Sequence, residues 1–211
     1  MIYLFLTAIL CGGGLALGAL FKRELSETLA PTIFISVLTL YLTGLFGFLK
    51  FGLWLVMLAG AAGGIFWLYR LIRSRGKGFF SQWFTPGVLM LLLAVLGIAW
   101  MQADKRVIGN DEFSHWGRCV KVMYATDSLG VFHPDQLDFA QYPPATALFQ
   151  YLFVRLTPAF TESYLFRAFD LFAVSLLLPV LAKFRWKDAG SAFVAAAGLT
   201  FLPLVFYSKR R

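Results

Sequence analysis

The sequence predicts an all-α fold, a polytopic helical membrane protein with about six transmembrane helices and an external loop that carries two amphipathic interfacial helices. Of its 211 residues, 59% are hydrophobic and 14% are charged, whereas about 25% are charged in an ordinary soluble domain. Several uncharged stretches approach the roughly 20 residues that cross a bilayer. The acidic residues are concentrated in one segment. These observations exclude a soluble protein and leave no room for a sizeable soluble domain.

The predicted spans divide the chain into three parts. Residues 1–103 contain four uncharged spans, namely Met1–Phe21, Ala30–Leu49, Phe51–Tyr69 and Gly78–Ala103. Residues 104–164 form the long loop. Residues 165–211 hold two more spans, about Leu165–Ala182, which carries Arg167 and Asp170, and Ala189–Ser208.

Basic residues in the short loops predict the orientation. Four of them lie in residues 70–77 and three in residues 183–188, and Lys and Arg are retained on the cytoplasmic side. Alternation then makes residues 104–164 external, periplasmic or extracellular, in a multi-pass protein of the cell membrane. This retention also explains the net charge of +8 without nucleic acid. Lys209–Arg211 would emerge outside, so either the sixth span does not fully cross the membrane or, as we favour, the sequence ends where a longer protein would continue.

The long loop holds the candidate chemistry. Between Asp104 and Asp138 lie six of the eleven acidic residues and both histidines, His115 and His133. Asn110 is a suitable N-cap, and acids in a first helical turn favour the helix dipole. Apolar residues then recur at helical spacing, at Phe113, Trp116, Val120 and Met123. An amphipathic helix is therefore expected at the membrane surface, ending near Asp127 and Gly130.

A second helix is predicted further along the same loop. Tyr142-Pro143-Pro144 precedes Ala145–Leu156, and Pro144 suits a first helical turn. The apolar side chains of this segment place it in the membrane interface as well.

Three segments of this loop together resemble the first external loop of the GT-C glycosyltransferases. They are Asp111–Trp116, Asp127–Gly130 and Tyr142–Ala145 with Leu148. The closest branch contains the protein O-mannosyltransferases and the lipid A aminoarabinose transferase, and the resemblance covers roughly residues 85–185. Tyr142 stands where relatives often have lysine. Four spans precede the acidic loop, three more than is usual in the family.

The resemblance implies an inverting transfer of sugar from a polyprenyl-phosphate-linked donor to a glycan, lipid or protein hydroxyl. Asp111 would act as general base, with Glu112 beside it. Candidate substrate or phosphate ligands are His115, Arg118, Tyr142, Arg155 and Arg167. No cofactor is required. A divalent metal could be held by Asp111, Glu112, His115 and His133, because Asp111 and His115 share one helical face.

Other interpretations stay open. Asp111 and Glu112 would also be ordinary at a helix start, and Arg167 with Asp170 could form a surface pair. A non-catalytic transporter is disfavoured because five spans carry no charge. A non-catalytic assembly or lipid-binding subunit fits the aromatic content of 18%.

Overall fold

A computed structural model describes residues 1–75, 85–109 and 115–183, together with Gly190 and Phe193. In this part the chain is all-helical, with seven α-helices and a short 3-10 turn at Gly130–Phe132. The helices are α1 (Ile2–Phe21), α2 (Leu25–Leu45), α3 (Leu49–Arg73), α4 (Pro86–Met101), α5 (Gly117–Thr126), α6 (Ala145–Val154) and α7 (Ser163–Leu181). The predicted fold class is confirmed at this level.

Four of these helices have the length and hydropathy that a membrane crossing needs, namely α1, α2, α3 and α7. The shorter α4 is apolar and has 16 residues, or about 24 Å of helix, against about 30 Å of hydrocarbon. The sixth predicted span, Ala189–Ser208, lies outside the described residues except for Gly190 and Phe193. Four apolar helices indicate a membrane protein, and the count of six spans stays a prediction.

The helices differ from the predicted spans at their ends. We predicted a span from Ala30, but α2 begins at Leu25, where Glu24 and Glu27 form a reciprocal capping box. In α4 the Thr85 Oγ1 atom accepts a hydrogen bond from the Val88 amide at 3.3 Å, and Pro86 occupies the first turn. Residues 76–84 of that predicted span lie outside the described residues. The predicted spans therefore stop at charged residues, whereas the helices continue past them.

The first three helices pack closely on one another. A Cβ atom built on Gly60 of α3 would lie 2.5 Å from the Ile9 carbonyl oxygen of α1. One built on Gly63 would lie 2.7 Å from the Gly12 carbonyl oxygen. Glycine at these positions allows the two backbones to approach, which favours helix association in an apolar medium. The helix α7 completes the bundle by packing on α2, α4 and α6.

The helix ends gather at two ends of the bundle. At one end the Arg70 guanidinium donates to the Ala19 carbonyl oxygen at 3.0 Å, so α1 and α3 finish together. At the other end, Lys50 at the start of α3 contacts Asp127 after α5, with 3.7 Å between Nζ and Oδ2. Within residues 102–162, which we call the α4–α7 connection, the turn at Asp127 thus lies at the same end as the Lys50 hairpin. Which end faces the cytoplasm stays a prediction.

The helix α6 corrects one expectation. We predicted that residues 145–156 lie in the membrane interface. Instead α6 packs against α2, α5 and α7, and its large apolar residues are 0–1% exposed, namely Leu148, Phe149, Tyr151, Leu152 and Phe153. Protein, not lipid, covers this apolar helix.

Candidate functional site

The α4–α7 connection contains the site residues predicted from sequence, apart from Arg167. The proposed base Asp111 and its neighbour Glu112 lie outside the described residues, as does the predicted cap Asn110. His115 and Trp116 occupy a helical turn directly before α5. The helix ends where predicted, because Asp127 takes a left-handed conformation at φ 51° and its amide donates to the Met123 carbonyl oxygen.

One face of α5 lines a cavity of about 470 Å³ with basic side chains, which we call the basic cavity. Arg118 and Lys121 contribute its positive charges, and Glu162 lies on the opposite wall. The only described ion pair of Arg118 is long and exposed, at 4.0 Å from the Asp138 carboxylate. Such a pair contributes little, so the Arg118 guanidinium is available to an anionic group.

A second cavity of about 700 Å³ lies between α2 and the connection, and we call it the apolar groove. One wall is a single face of α2, with residues at helical spacing: Phe34, Val37, Leu38, Tyr41 and Leu45. The other wall is the connection, with Cys119, Leu129–Val131, Ala140–Ala145 and Leu148. A mostly apolar groove of this size is typical of a ligand site.

An aromatic cluster adjoins the groove at His115. The imidazole is 8% exposed and lies 4.5 Å from the Trp116 ring, 5.1 Å from Phe139 and 4.6 Å from Tyr142 between ring centroids. Its Nε2 atom has no hydrogen-bond partner within the described ranges. Tyr142 is half-exposed and also lines the groove. Two residues predicted to contact substrate, His115 and Tyr142, are thus brought together.

Asp127 forms an ion-pair network that the sequence analysis did not foresee. The Arg155 side chain donates to both carboxylate oxygens, from Nε at 2.5 Å and from a terminal nitrogen at 2.9 Å. The Tyr151 hydroxyl donates at 2.7 Å, and Lys50 lies 3.7 Å away. The hydrogen bond from Arg155, with that from Tyr151, lowers the pKa of Asp127 against the opposing effect of burial. We call this set the Asp127 network.

The Asp127 network includes Arg155, which the sequence analysis predicted to bind phosphate. Arg155 was a candidate, but Asp127 holds its guanidinium in a bidentate pair, and that pair raises the pKa of Arg155. Phosphate would have to displace a carboxylate to reach it. Burial and the bond to Asp127 likewise raise the pKa of Tyr151. Arg155 therefore links the C-terminal end of α6 to the C-terminal end of α5.

The remaining predicted residues lie apart. His133 Nε2 is hydrogen-bonded to the Ser128 hydroxyl. No three His, Cys, Asp or Glu residues of the described part lie close enough to hold a metal ion, and two of the four predicted ligands lie outside it, so metal binding stays a prediction. Arg167 lies over the rings of Tyr3 and Tyr164. The alternative of a surface pair with Asp170 is not seen among the described residues, where the Asp170 carboxylate accepts a hydrogen bond from Gln102 at 2.6 Å.

Comparison with known proteins adds no relative. No protein-family description, no curated protein and no solved structure matches this chain. The resemblance to the GT-C loop therefore has no support beyond the residues that carry it, and the function has to be argued from the site.

Proposed function

We propose that this protein is a membrane glycosyltransferase that moves a sugar from a polyprenyl-phosphate-linked donor to an acceptor hydroxyl at the external face. One observation carries the proposal: α5 separates the apolar groove from the basic cavity. A lipid-linked donor has an apolar tail and an anionic head. A site for it needs both environments close together at the end of a helical bundle.

The segments that carry the family resemblance also support the proposal. Leu129 and Gly130, Tyr142–Ala145, and Leu148 all line the apolar groove, although they are spread over two turns and a helix. If these segments served only to form turns, there would be no reason for them to line the same cavity. A binding site for the donor lipid gives such a reason.

The proposed chemistry is a single displacement at the anomeric carbon. Asp111 takes the proton of the acceptor hydroxyl as its oxygen attacks, and the bond from the anomeric carbon to the phosphate oxygen breaks. The departing phosphate carries the negative charge, which Arg118 and Lys121 of the basic cavity would stabilise. The bidentate geometry of arginine suits phosphate. His115 and Tyr142 would contact the sugar beside the groove.

Sugar transfer in proteoliposomes tests the proposal. The chain would be reconstituted with a radiolabelled polyprenyl-phosphate sugar and a hydroxyl acceptor, and compared with Asp111→Asn and Asp135→Asn. Asp135 is an exposed acid of the same connection, so it is a matched control. We expect Asp111→Asn to lower turnover by about 10²-fold or more, the usual effect of losing a general base, and Asp135→Asn to leave it unchanged.

Two results would contradict this function. If Asp111→Asn retained near-normal turnover, the base would lie elsewhere, and a Glu112→Gln variant would show whether the two roles are reversed. If the chain bound the lipid-linked donor but neither it nor a longer product extending beyond Arg211 transferred sugar to any acceptor, it would be a lipid-binding subunit rather than an enzyme.

A further inference from the structure

Several buried polar atoms without partners gather in one place outside the site described above. Four such side-chain atoms occur in the part of the chain that the structure describes, and three of them are Tyr3 Oη, Gln102 Oε1 and Arg167 Nε. Tyr3 is 1% exposed and Gln102 is 8% exposed. Together with Asp170 and Tyr164, these residues form what we call the Arg167 cluster, where α1, α4 and α7 meet.

The positive charge of Arg167 has no counter-ion among the described residues. Asp170 lies one turn further along α7 and would be the ordinary partner, but its Oδ2 atom accepts from Gln102 Nε2 at 2.6 Å. The guanidinium instead lies over two aromatic rings, 5.0 Å from the centroid of Tyr164 and 5.8 Å from that of Tyr3. A charge within an apolar helix is costly unless a partner or a cavity receives it. An anionic group from outside the described residues would complete the surroundings of this guanidinium.

The depth of the cluster indicates where that anion comes from. Tyr3 is the second residue of α1, and Gln102 directly follows α4. Arg167 is the fifth residue of α7, about 6 Å along the helix from its start. Three helix ends thus place the cluster near the headgroup level of a bilayer. The Arg167 side chain is partly exposed, so a group in that layer can reach it.

We propose that the Arg167 cluster binds the phosphate of a membrane lipid. The guanidinium offers paired donors that match phosphate oxygens, and the rings of Tyr3 and Tyr164 hold its plane. Tyr3 Oη and Gln102 Oε1 are buried, so the exposed part of the Arg167 side chain makes the contact with the headgroup. Lys105 lies 5.8 Å above the Phe166 ring and adds positive charge nearby. This site requires neither the apolar groove nor sugar transfer, so it does not depend on the proposed function.

Lipid binding by the purified full chain tests this site. The protein in a non-ionic detergent is titrated with phosphatidylglycerol, a polyprenyl phosphate, inorganic phosphate and phosphate-free diacylglycerol. Bound lipid is counted by native mass spectrometry, and thermal unfolding is followed in parallel. The variants are Arg167→Gln, Arg167→Lys and Arg106→Gln, an exposed cation of the same bundle end that serves as the charge-matched control.

We expect one phosphate-bearing lipid to bind and to raise Tm of the parent chain. Arg167→Gln should weaken that binding about ten- to a hundredfold, as removal of charge-assisted hydrogen bonds does, and Arg106→Gln should not. Without lipid, Arg167→Gln should lower Tm only by the loss of its contacts with the Tyr3 and Tyr164 rings, whereas the rise in Tm on lipid binding should be lost as well. The tighter of phosphatidylglycerol and polyprenyl phosphate identifies the source of the phosphate, and either supports the site.

Other outcomes would overturn the site. Equal lipid affinity of Arg167→Gln and the parent chain would show that Arg167 is solvated by water only. Equal binding of diacylglycerol would show that the phosphate is not recognised, and binding of inorganic phosphate without either lipid would exclude a lipid ligand. If Arg167→Gln failed to fold, lipid binding by Arg167→Lys would test the site instead, because an ammonium group cannot form the bidentate contact with phosphate. Unchanged affinity in that variant would likewise refute the proposal.

Discussion

Asp127→Asn should lower the free energy of unfolding by about 2 kcal/mol, because hydrogen bonds to charged groups contribute roughly 1.5–3 kcal/mol. The carboxylate receives two bonds from Arg155 and one from Tyr151. The Asp127 and Arg155 side chains are each 26% exposed, so solvent screens the pair only in part and the low range of exposed pairs does not apply. Asparagine tolerates the left-handed backbone at this position. The variant therefore removes the charge without straining the turn.

The effect of Asp127 on stability should depend on pH in a defined direction. The hydrogen bond from Arg155 lowers the pKa of the folded Asp127 carboxyl below its ordinary value of 3.8. A carboxyl with a lowered folded pKa stabilises the protein above its unfolded pKa, and this contribution is lost as pH falls through the folded pKa. The difference between the parent chain and Asp127→Asn should therefore be constant from about pH 5 to 8 and shrink below about pH 4.

Reversible unfolding in mixed micelles would measure this difference, and a double-mutant cycle with Arg155→Gln would isolate the pair. Asp138→Asn is the matched control, because its pair with Arg118 is 4.0 Å long, with side chains 65% and 47% exposed. It should change stability by less than about 0.5 kcal/mol. The reasoning fails if Asp127→Asn costs no more than Asp138→Asn, or if Asp127 and Arg155 behave additively.

Two further predictions concern packing and reactivity. Gly60→Val should destabilise the α1–α3 contact by about 2 kcal/mol or more, because even a Cβ atom would lie 2.5 Å from the Ile9 carbonyl oxygen; an unchanged midpoint in the same unfolding assay would contradict that approach. Burial raises the pKa of the Cys119 thiol, and the thiolate is the reactive form, so in a Cys11→Ser background maleimide should label Cys119 much more slowly in the folded protein than in sodium dodecyl sulfate. Equal rates would show that Cys119 is open to solvent.

Local patterns were sufficient to predict where the first helix of the connection ends and where the second begins. The turn after α5 falls at Asp127 because a left-handed residue ends the helix there, and α6 begins at Ala145 after two prolines. The placement of α6 could not be predicted in the same way. Lipid and protein interiors are both apolar, so an apolar helix carries no local signal that says which of them covers it.

The role of Asp127 escaped sequence analysis for a different reason. Its short polar side chain in a turn is sufficient to explain the residue locally. Its strongest partner, Arg155, is 28 positions away, and Lys50 comes from a separate hairpin. The pairing of acids with bases at such separations is fixed by how the helices pack, and helical periodicity contains no information on it. The only available signal was an acid and a base within one loop, and the sequence analysis had assigned Asp127 to a helix end and Arg155 to a phosphate.

The Asp127 network lies directly beside the apolar groove. Leu129 and Gly130, which line the groove, follow Asp127 almost directly, and Arg155 directly follows α6, whose first residues form the same wall. On the opposite side, a Cβ atom on Gly44 of α2 would lie 2.7 Å from the Leu129 side chain, so α2 and this wall are already in close contact. The ion pair that joins α5 to α6 therefore holds together two parts of one wall of the groove. A ligand that fits the groove would act on the same contacts, and its binding energy would add to the stability that Asp127 supplies.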